Sequence, residues 1–384
     1  MLRKNLLLLV VLVLSGCSSI GPAQINTDRG AYNQIVRQTD YEQLLTNIVH
    51  LSYVESTSYL QVTNVTASYS LSKGASVTPS WSQAVGGGAP LTTTTGIAVA
   101  PTITYSDSPT ISYVPMNDQS FITTLQTPIT FTDLAMLFNG GFDNTGFLAR
   151  LVFDNIGPLD NASSASAERV VSIPTYQPFY RFLHILIEMQ QNKSVDIEPV
   201  TFKGETGLMI AFTPDNVNSE DALELKALVQ IPLDSKSIIL MSQNVGALKM
   251  GANGQLVQED NSASMKNLVY VKMRSIYGVM TFLSHSVQIP TADVQGHLTL
   301  QLLDTNGQPY NWAPLMSGLM TIYSSNTEPQ DAFVKTWANH HWFYIKETDI
   351  DSKDTFDILV RLMTLTAGMG TTPVQNAPVL TVAV

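Results

Sequence analysis

Cysteine is almost absent: the chain of 384 residues holds one, Cys17. No disulfide can form within a single chain, and no cysteine-based metal centre can be assembled. Charge is scarce as well. Residues 56–115 carry only Lys73 and Asp107. Over the whole chain 20 Lys and Arg face 31 Asp and Glu, a formal charge of −11. No basic patch is visible, which argues against nucleic acid and against anionic membrane surfaces as electrostatic partners. The sequence contains no G-x-S-x-G elbow, no H-E-x-x-H and no glycine loop followed by Lys-Ser or Lys-Thr. The fold must therefore be held by its core, for which the chain is ample at two or three domains.

What is present begins at the N-terminus. Arg3 and Lys4 precede an apolar run, Leu6–Leu14, and then LSGC ending at Cys17. A membrane helix needs about 20 apolar residues, so this run reads as a secretory signal, residues 1–16. LSGC is similar to the lipobox of bacterial lipoproteins. That likeness implies cleavage before Cys17 and lipid on its thiol and amine. The acyl chains anchor firmly, at ~0.8 kcal/mol per buried methylene. By the same analogy Ser18, not being Asp, directs the chain to the outer membrane. Loss of Arg3 and Lys4 takes the formal charge from −11 to −13.

The mature chain divides by composition. Residues 17–27 read as a lipidated tether and 28–56 as helical. Thr39-Asp40-Tyr41-Glu42 has capping-box spacing, with a helix from about Asp40 to Tyr53. Residues 57–115 form a charge-poor β segment of period two, with a bulge expected near Thr63 and Asn64. Residues 116–367 read as α+β, with a linker placed at 158–170, and 368–384 as an extended tail. The fold class is thus α+β: an antiparallel β-hairpin segment followed by a mixed helix and strand region. Predicted elements there include helices over 118–125, 132–139, 178–191, 219–229, 275–284 and 352–366. Predicted strands include 237–241, 267–273, 298–303 and 342–345, with a hairpin over 201–212.

The most repetitive phrase is PTITYSDSPTISY, 101–113. Ser106-Asp107-Ser108 reads as a turn and the two pentapeptides as its arms. Each Pro then opens a strand on a sheet edge. Ile103, Tyr105, Ile111 and Tyr113 give that edge one apolar face, an aggregation hazard unless something covers it.

Chemistry-bearing candidates are few. His340-His341 reads as two strand residues pointing to opposite faces rather than as metal ligands. Asp349, Asp351 and Asp354 lack the glycine of a calcium loop, and Asp351 reads as a helix cap. No catalytic residue, metal site or cofactor is assigned.

Four phrases resemble a family of proteobacterial outer-membrane lipoproteins with no assigned activity. They are NIVHLSYVESTSYLQVTNVTASYS (47–70), DSPTISYVPMNDQSFITTLQTPI (107–129), VKMRSIYGVMTFLSHSVQIP (271–290) and HWFYIKETDIDSKDTFDILVRLM (341–363). The resemblance implies lipidation at Cys17 and an envelope role, facing the periplasm or the cell surface. The expected function is structural or accessory, in an outer-membrane or secretion assembly, with lipid and envelope proteins or further copies as partners. One alternative is an oligomeric β pore-lining protein; another is an enzyme on envelope glycan or peptide.

Overall fold

The computed structural model describes residues 20–66, 69–83, 93–108, 110–139, 145–202, 204–242, 248–250, 256–258 and 266–368. The chain is α+β and divides into two units, one of residues 1–58 with 117–372 and one containing Tyr59–Met116. Cys17 lies outside the described residues.

Helix α1 spans Ile20–Ser52, so residues 20–27, expected as tether, are already helical. The capping box expected at Thr39 is not formed. Thr39 Oγ1 instead donates to the Val36 carbonyl at 2.9 Å, inside a helix that runs through. Among the described side chains the C-terminal half is the deeply packed one, through Leu44, Leu45, Ile48 and Val49. That is the half where the apolar period is regular. Asn47 then fixes the chain's exit: its amide donates to the Ser58 carbonyl at 2.8 Å and its oxygen accepts from Ser58 N–H at 2.9 Å.

The unit containing Tyr59–Met116 is built from strands β1 (Leu60–Thr66), β2 (Tyr69–Gln83), β3 (Thr93–Asp107) and β4 (Thr110–Pro115). Among the described residues β1 pairs only with β4 and β2 only with β3, both antiparallel.

Helices α2 (Gln119–Gln126), α3 (Phe131–Asn139) and α4 (Thr145–Val152) follow. Then come β5 (Phe153–Ile156), β6 (Leu159–Asp160), α5 (Gln177–Gln191), β7 (Val195–Phe202) and β8 (Glu205–Phe212). Next are α6 (Glu220–Leu228), β9 (Ser237–Ser242), β10 (Leu248–Met250), β11 (Leu256–Gln258) and β12 (Leu268–Met273). The chain closes with α7 (Ile276–Ser284), α8 (Thr291–Gln295), α9 (Ala313–Met316), β13 (Tyr323–Ser325), β14 (Ala332–Ala338), β15 (His341–Lys346) and α10 (Ile350–Gly368).

Six of these strands make one mixed sheet in the order β6-β5-β12-β9-β8-β7. β12 and β9 are parallel and the other neighbours antiparallel. β13-β15-β14 make a smaller antiparallel sheet. Side-chain caps set several helix starts. Asp118 accepts from Phe121 N–H, Ser219 from Ala222 N–H and Ser275 from Gly278 N–H. At α10 the cap is Asp349 rather than Asp351: its carboxylate accepts from Ser352 N–H at 3.2 Å and Ser352 Oγ–H at 2.7 Å.

Two further expectations are corrected. Residues 158–170 are no linker: Asn161, Ala162 and Ala165 are fully buried. Small side chains let this segment pack closely, and Asn161 donates to the carbonyls of Arg150 and Phe153. The leucines of 298–303 make no strand either. Leu298, Leu300 and Leu303 remain 58%, 50% and 53% exposed, and the segment's one bridge joins Leu303 to Pro309. Alternation alone, with no sheet edge to join, does not form a ladder.

Candidate functional site

The register of the first four strands overturns the hairpin expected at 101–113. Ile103 faces Lys73 and Tyr105 faces Leu71, whereas Ile111 faces Val65 and Tyr113 faces Val62. The two pentapeptides are therefore not arms of one hairpin. They run one after the other along the same side of a longer ribbon. Thr66 faces Thr110 and Tyr69 faces Asp107, so a single register holds on both sides of the break between the two ladders. A turn at 106–108 would close arms of five residues. Pairing 60–83 with 93–115 instead gives two ladders, one of them with strands of 15 residues each. The longer ladder satisfies far more backbone groups. The bulge expected near Thr63 and Asn64 is present, as a register shift between Val62 and Asn64.

Alternation divides the ribbon chemically. Odd positions of β2 and β3 oppose odd positions, and even oppose even. Between positions 71 and 81 the odd set is Leu, Lys, Ala, Val, Pro and Trp, opposed by Tyr105, Ile103, Pro101, Val99, Ile97 and Thr95. The even set is Ser, Gly, Ser, Thr and Ser, opposed by Thr104, Thr102, Ala100, Ala98 and Gly96. On that second face Ser76, Thr78, Ala98, Thr102 and Thr104 are exposed and Gly96 is half-buried; Pro79, on the first face, is exposed as well. Ser80 Oγ donates across to the Gly96 carbonyl at 3.2 Å.

The prolines identify the free edges. Pro79 faces Ile97 and Pro101 faces Ala75, both in mid-strand rather than at a strand start. A proline is tolerated in a ladder only where its missing N–H points away from the partner. Odd pairs are thus the non-hydrogen-bonded ones, and their N–H and C=O groups point outward along both edges. Among the described residues no other strand pairs with either edge.

Ile111 and Tyr113, expected on a covered edge, are 41% and 57% exposed. Ile103 and Tyr105 are placed by register alone, as their side chains lie outside the described ones. Residues missed in the sequence were those of β2. The two-residue period of 69–83 was the signal for Val77, Pro79 and Trp81.

The other unit holds two polar clusters. Tyr53 follows α1 and donates to Asp293 Oδ2 at 2.5 Å. His341 Nε2 lies 3.5 Å from the same oxygen, and its Nδ1 is 3.0 Å from Asn326 Oδ1. Burial, then the bond to Asp293, raises the Tyr53 hydroxyl well above its ordinary range, so it stays a donor. His340 and His341 do not share a strand as expected. Asn339 and His340 have φ of +47° and +63°, the left-handed pair of a tight hairpin turn, and His341 opens β15. Tyr53→Phe is expected to cost about 1.5–3 kcal/mol, since a hydrogen bond to a charged group is lost. Urea melts of the two proteins check this.

The second cluster centres on His285. Its ring stacks on Trp312 at 3.8 Å and 10°, and its Nε2 is 3.1 Å from the Ala165 carbonyl. It lines a pocket of about 230 Å³ with Ser52, Glu168, Ser284 and Gln301. Burial lowers its pKa to about 4, against the carbonyl bond, which raises it. The unfolded chain binds a proton near the ordinary value of about 6.5 and the folded chain does not. The contribution of neutral His285 is therefore whole above pH 6.5 and is lost as pH falls toward 4. About 3 kcal/mol of stability should disappear over that window. His285→Gln should flatten this part of the pH profile, measured by denaturant melts at pH 7 and 4.5.

Among the described residues no group of three or more His, Cys, Asp or Glu is placed to hold a metal, and no helix is long and apolar enough to cross a membrane. No protein family, curated protein or solved structure matches the chain.

Proposed function

We propose that this is a lipid-anchored protein of the bacterial outer membrane, part of an envelope assembly, whose ribbon joins ribbons of other copies as the wall of a β-barrel. One observation carries the reading: the segregation of apolar odd and small even positions between aromatic residues at both ends of the ladder. Trp81 marks one end; Tyr105 and Tyr69 mark the other. From position 71 to 81 a strand advances about 33 Å at ~3.3 Å per residue. Tilted by about 40°, it rises about 25 Å, the height of the apolar band of an outer-membrane barrel. Lys73, the one cation of the ribbon, pairs with Ile103 toward the Tyr105 end of the ladder.

The edges supply the oligomer. In water the outward N–H and C=O groups are solvated. In a bilayer each unpaired group costs several kcal/mol, so a lone ribbon cannot stay there. Pairing β2 of one copy with β3 of the next satisfies both edges, and a closed ring has none. Pro79 and Pro101 each remove one donor from those seams. The LSGC sequence at Cys17 and the lipoprotein resemblance support the anchor and the location.

The full-length protein extracted in mild detergent should run as a ring-sized oligomer. In planar bilayers it should open discrete, long-lived conductances. Recovery only as a monomer that leaves bilayers electrically silent would refute the proposal.

A further inference from the structure

The unit of residues 1–58 and 117–372 contains an apolar pocket of about 320 Å³ between the helices and one face of the six-stranded sheet. Its floor is Leu148, Phe153, Ile156, Phe182, Ile210 and Leu240, all buried. Its mouth is formed by half-buried Ile187, Ile197 and Leu208 with exposed Pro199 and Gln190. Among the described residues of the lining Gln190 is the one with a polar side chain.

Interiors are close-packed, with few voids larger than a water molecule. This pocket is about twice the ~150 Å³ apolar cavity that stays dry and takes up benzene. Water needs two to four polar partners, and the floor offers no polar side chain. Small residues keep the space open. Ala135 and Ala149 line it where a leucine would fill it. At Gly146 the helices already touch, since an added Cβ would overlap Ile187. The void is therefore walled on that side.

We propose that this pocket binds a single acyl chain, with its polar end at the exposed rim. The volume suits on the order of ten methylene-sized groups. An amphiphile also explains a dry floor beneath an exposed, polar-tipped rim, the usual design of a small-molecule site. The proposal rests on the pocket alone and is independent of the ribbon.

The test uses the mature chain carrying Cys17→Ser, so that no detergent competes for the site. The probe is 1-anilinonaphthalene-8-sulfonate, a fluorescent amphiphile, with decanoate as competitor. Saturable binding of one probe per chain, displaced by decanoate, is expected. Ala135→Trp should weaken it at least tenfold while leaving the circular dichroism spectrum intact. Should that variant fail to fold, Leu208→Trp at the half-buried mouth carries the same test. Ile111→Ser, on the ribbon, should bind as the parent does. Absence of saturable binding would overturn the proposal. So would equal affinity in a folded pocket-filled variant.

Discussion

Val99→Arg is expected to abolish membrane insertion of the ribbon while leaving the rest of the protein folded. Val99 faces Val77 near the middle of the apolar ladder, far from either aromatic end. An arginine on the lipid face of a barrel at mid-membrane costs about 2–4 kcal/mol. Each copy in a ring carries the same residue, so the penalty multiplies by the number of copies. Even one copy's share is a loss of about 30- to 1000-fold. The neighbouring substitution Ala98→Arg lies on the opposite face. It should leave insertion intact and bias the conductance toward anions, because a lumen-facing charge tunes selectivity. Conductance of the two variants in planar bilayers separates these outcomes, with circular dichroism as the folding control.

The second large effect belongs to Arg274. Its side chain is completely buried, with the guanidinium 4.1 Å from the centre of the Phe282 ring. Nη1 donates to the carbonyls of Arg150, Leu151 and Phe153 at 3.0, 3.1 and 2.7 Å. Nε donates to Ser166 Oγ at 2.6 Å, and Nη2 donates to the Asn161 carbonyl. The first two carbonyls belong to the last turn of α4, where no intrahelical donor is left for them. One arginine therefore ties a helix terminus, strand β5 and the 161–166 turn together. Burial lowers its pKa to about 10, and it remains charged at neutral pH. Removing one member of such a buried charged network costs about 3–5 kcal/mol. For a unit of this size each kcal/mol is worth about 2–4 °C, so Arg274→Met should lower Tm by roughly 6–20 °C. Arg274→Lys should be nearly as harmful, because an ammonium cannot fork to five acceptors. Thermal melts followed by circular dichroism check both.

Local features were legible in the sequence where they depended on local pattern. The helices at Gln119, Gln177, Glu220 and Ile276 follow from period, capping residue and first-turn proline. The odd and even alternation of 96–114 already held the ribbon's two faces. What the sequence did not reveal was which partner each strand takes. Ser106-Asp107-Ser108 has good turn chemistry, yet it lies where the ribbon's two ladders meet. Ladder length won over turn propensity there, as tertiary context often does. The same limit hid the buried polar groups. Nothing around Asp293 in the sequence announces Tyr53 and His341, which are brought to it by α1 and β15. Arg274 is likewise an ordinary residue after a strand until Asn161 and Ser166 close around it.

In the proposed ring, alternate residues of β3 meet lipid and water. Single cysteines at 97, 98, 99, 100, 102 and 103 can be placed in the full-length chain, whose native Cys17 is blocked when lipidated. Labelling with a membrane-impermeant thiol reagent is then measured in membranes carrying the assembled protein. Strong labelling is expected at 98, 100 and 102, with protection at 97, 99 and 103. Uniform labelling, or labelling at the odd positions, would contradict the proposed ring.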